Sequence, residues 1–247
     1  MNATKTPKTA KAKSTTKPDA NRLSKQKGIT FDRMKNYDLA EAVKLLKSAP
    51  SPKFDETVDV ALNMNLDPKF NDQNVRGVVA MHHGTGKTIR VAVVARGAAA
   101  EDARKAGADV VGAEDLIAAI DGGTINFDRL IATPDCMPLL GKVARVLGPK
   151  GLMPNPKLGT VTPAPAGAVK AAKAGQVEFR LDKSGIIHCG VGKKSFSDKQ
   201  LAENIMALIK AVRDAKPSGA KVTYMERLTI SATMSPGVKV DLKTAGM

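Results

Sequence analysis

Between Thr88 and Leu147 the chain alternates strand-like and helix-like patterns three times over, and this limits the folds open to it. Ile89 to Ala95, Ala108 to Val111 and Asp128 to Ala132 are short runs rich in Val, Ile and Ala. Glu101 to Ala106, Ala113 to Ile120 and a stretch near Leu139 to Leu147 carry helical spacing. Such alternation is the sequence form of a parallel sheet covered by helices.

The flanks read differently. Asp38 with Glu41 three residues on predicts a capped helix whose face is Leu39, Ala42, Val43 and Leu46, ending at Pro50. Val58, Val60, Leu62, Met64 and Leu66 then alternate with Asp59, Ala61, Asn63 and Asn65, which predicts a strand with one buried and one small, polar face. Beyond residue 160, Val177 to Leu181 and Ile186 to Val191 flank Asp182-Lys183-Ser184-Gly185 and read as a hairpin. Ser197 with Gln200 opens a long helix striped by Leu201, Ile205, Leu208 and Val212. A last strand is expected from about Val222 to Thr233. The fold class expected is therefore α/β. Residues 28–83 and 160–247 would form one discontinuous domain, and 84–159 an inserted, Rossmann-like one. The crossings fall at Gly84 to Gly86 and at Gly159 and Thr160, where glycine would permit hinge motion.

Charge narrows the function. With 39 Lys and Arg against 24 Asp and Glu, the chain carries +15, which favours a polyanionic partner, nucleic acid first. Residues 1–27 supply +7 of that. With only Met1 and Leu23 as large apolar side chains, they are expected to be a disordered basic arm. No apolar run is long enough for a signal peptide or a membrane span. The arm is Lys-rich with one Arg and has no amphipathic stripe, which favours the cytosol over an organelle. Cys136 and Cys189 are too far apart, and His82, His83 and His188 too few, for a metal site. No cofactor or metal is expected.

His83-Gly84-Thr85-Gly86-Lys87-Thr88 ends like a phosphate loop, but Met81 stands where that motif needs glycine, and Ile89 where the dinucleotide fingerprint needs its third. Asp135 beside Cys136 has no histidine near it in sequence. An enzyme using the middle block as a nucleotide site is the competing reading, and a nonspecific coat driven by charge is a third.

With eight aromatic residues and no Trp, a base-stacking platform does not fit. Phosphate pairing by Lys and Arg remains, with short hydroxyls and backbone groups on polar sheet faces, the means by which folded RNA is read by shape. Lys53-Phe54-Asp55-Glu56-Thr57 and Ser231 to Gly237 are the best patches. By residue type alone Phe54 fits the core better. Between Gly148 and Thr162, three prolines and three glycines enforce a shaped loop or a linker that offers Lys150 and Lys157 without acid, base or nucleophile.

Gly-Pro-Lys-Gly-Leu-Met-Pro-Asn-Pro-Lys at 148–157 resembles the signature of the L-one (uL-one) family of large-subunit ribosomal proteins. Asn71 to Gly77, His83 to Gly86, Asn126 to Asp128, Lys173 to Val177, Asp182-Lys183, Gly185 to His188 and Thr233-Met234 follow in family order. The resemblance implies an RNA-binding domain made of both chain ends, with an inserted Rossmann-like domain. It also implies that the protein sits in the mobile stalk of the large ribosomal subunit and binds a 23S rRNA junction. Release of exit-site tRNA and repression of its own operon through an mRNA site belong to the same implication. RNA contacts carried over are Lys53, Phe54, Thr57, Arg180, Lys183, His188, Thr233 and Met234, with Gly237 as a possible stand-in for a family glycine replaced here by Ser235. The family's proline before His-Gly is His82 here.

Overall fold

The computed structural model describes residues 31–244 apart from 33, 51, 218, 221 and 222. The basic arm expected at 1–27 and the start of the last strand at Val222 lie outside the described residues.

Strand β1 (Thr57–Met64) is the centre of a four-stranded antiparallel sheet. It pairs with β7 (Ile186–Lys193) on one side and β8 (Met225–Ala232) on the other, and β8 pairs with β9 (Val238–Val240). Period-2 alternation sends Val58, Val60, Leu62 and Met64 to one face, where all are buried. Helices α1 (Leu39–Ser48) and α7 (Asp198–Asp214) pack on that face. In α1 the buried residues are Leu39, Ala42, Val43 and Leu46, the spacing of one helical stripe. Asp38 holds the N-cap position but its side chain makes no cap bond; the helix starts on Ala42 N donating to Asp38 O at 2.8 Å. In α7 the capping box is complete, with Ser197 N donating to Gln200 Oε1 at 2.9 Å and Gln200 N to Ser197 Oγ at 3.3 Å. Truncating Leu62 or Leu208, both 0% exposed, would cost about 2–5 kcal/mol.

A second layer is a parallel sheet in the order β4-β3-β5, made of β4 (Val110–Gly112), β3 (Val91–Val94) and β5 (Arg129–Ala132). All four residues of β3 are buried. Ala92 and Val94 join one core with residues of α3 (Glu114–Asp121), α4 (Met137–Leu140) and α5 (Ala144–Leu147). Val91 and Val93 join another with Ala103 of α2 (Ala98–Lys105). Burial on both faces is why β3 reads as an unbroken apolar run. The single helix expected near Leu139 to Leu147 is instead two one-turn helices separated by a 3₁₀ turn at Gly141–Val143, where glycine weakens the helix.

Helix α6 (Pro165–Lys173), hidden in the sequence by its Pro, Ala and Gly content, packs against α2, and Val169 and Ala172 join its core. This corrects the second crossing. Ala132 N donates to Thr160 O at 2.9 Å, Thr162 N to Ala132 O at 3.1 Å, and Val161 bridges Ala132 in parallel. Gly159 and Thr160 are thus internal to the parallel layer, because 160–162 extend its edge, and the chain leaves only after α6, at Gly175.

Two more strands, β2 (Arg76–Ala80) and β6 (Gln176–Arg180), pair antiparallel as a ribbon beside the crossings. The hairpin expected between β6 and β7 is a tight corner instead. Asp182 N donates to Ile186 O at 2.9 Å, and Leu181 and Ile187 make a single bridge, after which β6 stays with β2 and β7 joins β1. Phe179, 2% exposed, fills the space over Gly77, where an added Cβ would lie 2.7 Å from its ring.

Candidate nucleic-acid interface

Apart from Ile186, the face of the four-stranded sheet away from α1 and α7 carries short or polar groups in rows set by register. His188, Ala61, Thr229 and Lys239 form one row, Gly190, Asp59 and Ser231 the next, and Ile186, Asn63 and Arg227 a third. An added Cβ on Gly237 would sit 2.9 Å from Thr229 Cγ2, so glycine there keeps the face low. Burial pushes the Asp59 carboxyl up, against the opposing pull of Lys87, His188 and Lys193.

At one end of this face three chain segments converge on Glu56, which is 1% exposed. Its Oε2 pairs with Lys194 Nζ at 3.2 Å, its Oε1 accepts from Met234 N at 3.3 Å, and its carbonyl accepts from Lys194 N at 2.8 Å. Thr57 N donates to Thr233 Oγ1 at 3.3 Å, and Lys193 Nζ donates to Thr57 Oγ1 at 3.2 Å. Ser195 holds both Asp55 carboxylate oxygens, at 3.2 and 2.8 Å. The loop so pinned presents exposed Lys53 and Phe54, and the turn tied to it through Glu56 presents Met234; Phe54 is 52% and Met234 55% exposed. The core reading of Phe54 is thereby overturned.

Ser235 needs no glycine conformation, since no non-glycine residue among those described has a positive φ, and its N–H donates to Ala232 O at 3.0 Å. Its Oγ is buried without a hydrogen-bond partner among the described residues. Of the other predicted contacts, His188 lies exposed on the sheet face. With Arg180 and Lys183 it lines a cleft of about 860 Å³ whose far wall includes Gly148, Gly151, Met153 and Leu158 of the signature loop. The predicted contacts therefore form two groups, one around Glu56 and one at the cleft.

The loop with the phosphate-loop ending runs into strand β3, not into a helix, so it lacks the helix N-terminus on which phosphate cradles rely. Gly84 and Gly86 have φ of 65° and 68°. Asn204, fully buried, accepts from His83 N at 3.2 Å and donates to Gly84 O at 3.1 Å and Val191 O at 2.8 Å, tying this crossing to α7 and β7. Among the described residues no group of three or more His, Cys, Asp or Glu is placed to hold a metal ion, and no helix is long and apolar enough to cross a membrane.

Lys193, Lys194 and Asn204 were not singled out from sequence, and Glu56 was read only as part of the 53–57 patch, not as its buried anchor. Glu56 had a signal, because it precedes Val58 by two and so shares the buried phase of β1. Asn204 had one as well, standing three residues after Leu201 inside the apolar stripe of α7.

A largely polar sheet face, a thioether and an aromatic side chain exposed at its end, and a basic excess suit a protein that holds structured RNA. The model of the ribosomal protein L1p/L10e family matches residues 45–236, most of the chain, and the chain belongs to this family. It is a ribosomal protein of the large subunit that binds ribosomal RNA. The match runs from within α1 past Met234 and takes in both groups of predicted contacts except Gly237.

Proposed function

We propose that this protein binds the 23S rRNA stalk junction through the polar sheet face and the loop and turn that meet at Glu56. The observation that carries this is the convergence of Lys53, Phe54 and Thr57 with Thr233 and Met234, two segments remote in sequence, around one buried carboxylate. Fixing both segments to a rigid sheet lowers the ordering cost on binding. The exposed Phe54 and Met234 give apolar contact to bases or sugars, and the hydroxyls and backbone groups suit 2′-hydroxyls. His188, Arg180 and Lys183 add contacts along the same side, and Gly237 allows close approach.

In this reading the two bodies, 31–83 with 175–244 and 84–174, pivot at Gly84 and Gly175, carry the stalk and help release exit-site tRNA. The same surface binds a similar site on the protein's own mRNA and represses its operon, which places the protein in the cytoplasm with the ribosome.

The test is binding of the purified chain to its stalk-junction fragment and to an unrelated hairpin of equal length at two salt concentrations. A cognate preference that survives higher salt is expected, because charge alone gives affinity that falls for both RNAs together. Truncating Thr233 and Met234 to Ala is expected to cost about 1–3 kcal/mol of cognate binding and to reduce the preference. Equal binding of both RNAs, abolished together in salt, would sink the proposal in favour of a nonspecific coat.

A further inference from the structure

The turn that joins β8 to β9 is tied down by its neighbours. Ser235 N donates to Ala232 O at 3.0 Å and closes it, Met234 N donates to Glu56 Oε1 at 3.3 Å, and Thr233 Oγ1 accepts from Thr57 N at 3.3 Å. The Thr233 hydroxyl also donates to Thr57 O at 3.4 Å, so it is engaged within the fold in both directions.

The second hydroxyl of the turn is in the opposite state. Ser235 Oγ is buried and has no hydrogen-bond partner, and among the described residues no other buried side-chain nitrogen or oxygen is left so. A hydroxyl removed from water without a partner is unfavourable, and removing it, or supplying a partner, recovers that loss. Its place shows where a partner would come from. Thr233 and Met234, just before it, are exposed, and Ser235 as a residue is only half-buried. Rotation about χ1 moves Oγ between staggered positions while the backbone bonds of the turn stay in place. A ligand seated on Thr233 and Met234 lies against the residue that carries this hydroxyl.

We infer that Ser235 is a specificity residue of the RNA surface: its hydroxyl bonds a ribose 2′-hydroxyl, and the turn thereby favours RNA over DNA. The inference rests on the proposed binding of rRNA by this surface and adds to it the group that is read. Residues 231–237, Ser-Ala-Thr-Met-Ser-Pro-Gly, hold no charged side chain, so a phosphate finds no cation in this segment. A 2′-hydroxyl is neutral, is donor and acceptor at once, and is the group that separates RNA from DNA at a given site. Serine, also donor and acceptor, can meet it in either sense. The glycine that the family pattern places here could not make this bond.

The test uses the full chain and its Ser235→Ala variant, with the stalk-junction fragment and a set of copies that each carry a single 2′-deoxynucleotide. Wild type is expected to lose about tenfold in affinity at one nucleotide, the size of one hydrogen bond lost without replacement. Ser235→Ala should bind the unmodified fragment about tenfold more weakly and be indifferent to the deoxy change at that nucleotide, while other positions affect both proteins alike. Ser235→Gly, with the hydroxyl likewise removed, should repeat the result. The thermal midpoint of free Ser235→Ala should equal or exceed that of wild type, because an unpartnered hydroxyl is removed; a lower midpoint would show the serine to be structural and overturn the inference. So would a Ser235→Ala protein with wild-type affinity, or one that stays sensitive at every nucleotide where wild type is. If wild type itself shows no preference for the stalk fragment over the unrelated hairpin, the proposed function fails and this inference with it, so the two failures are distinguishable.

Discussion

Gly84 and Gly175 meet backbone to backbone where the two chain crossings pass each other: a Cβ added to Gly175 would lie 2.5 Å from Gly84 Cα. Gly84 is held on its other side by Asn204, which accepts from the neighbouring His83 N–H and donates to the Gly84 carbonyl. The contact therefore joins one anchored crossing to one that is free of Asn204.

Gly175→Ala pays twice, once for a methyl against backbone and once for φ of +94°. The conformational part is about 1–2 kcal/mol. Gly123, with φ of +85° and nothing within 4 Å of an added Cβ, isolates that part. Urea unfolding should show Gly175→Ala losing about 1–3 kcal/mol more than Gly123→Ala, a loss in the range of an overpacked site. Equal losses would mean that the crossings are slack against each other.

Glu56→Ala should be among the most damaging single changes in the antiparallel body. It leaves Lys194, whose side chain is 8% exposed, with Ala49 O as its remaining hydrogen-bond acceptor, and it removes an acceptor of Met234 N. Breaking a buried pair by removing one partner costs about 3–5 kcal/mol. Cognate RNA affinity of the protein that still folds should fall as well, because the 53–57 loop and the 233–235 turn lose their common anchor. A stable variant with full affinity would show that Thr57 and Thr233 hold the two segments unaided.

How far the sequence was legible follows from how local each signal is. The alternation of β1, the capping box at Ser197 and the three strands of the parallel layer rest on near neighbours in the chain, and these were readable. Helix α6 was not, since Pro165, Gly167 and the alanines carry little apolar period, although Pro at the first turn and Ala and Lys beyond it favour a helix. The second crossing was misplaced with it. The corner at Asp182–Gly185 was read correctly as a turn, but which strand β6 pairs with depends on residues 76–80, far away in the chain, and no local pattern encodes so distant a partner. At the interface, Phe54 could not be assigned from residue type, because core and contact demand the same side chain. Glu56 and Asn204 sit at apolar phase, and a polar residue there is a detectable signal.

Cys189 should be inert in the folded protein. Its side chain is buried, and burial, helped by the Asp59 carboxylate, pushes the thiol up to about 12. Near neutral pH the thiolate, which is the reactive form, is then scarce. Cys136 is 0% exposed. Mass spectrometry after brief treatment with iodoacetamide at about pH 8, below the usual free-thiol value, should find neither cysteine alkylated until denaturant is added. Rapid labelling of Cys189 without denaturant would mean that β7 opens locally.

Acid should loosen the parallel layer through two carboxylates that hold the start of β3. Asp109 accepts from Val91 N at 2.8 Å, and this bond, aided by Lys173, holds its carboxyl below the ordinary 3.8. Asp128 accepts from Arg90 N at 3.0 Å, and that bond with the Arg90 side chain does the same. A lowered folded value means that the stabilisation is complete above the unfolded value and is lost as pH falls through the folded one. Asp59 has the opposite sign. Its raised value means that ionisation opposes folding, so acidification from above that value relieves a cost. In urea unfolding between about pH 6 and pH 2, Asp109→Asn with Asp128→Asn should flatten the acid loss of stability, since those protons are no longer taken up on unfolding. Asp59→Asn should steepen the loss, because the offsetting gain disappears. Parallel pH profiles for wild type and the Asp109, Asp128 pair would show that the start of β3 is held by packing of Val91 and Val93 alone.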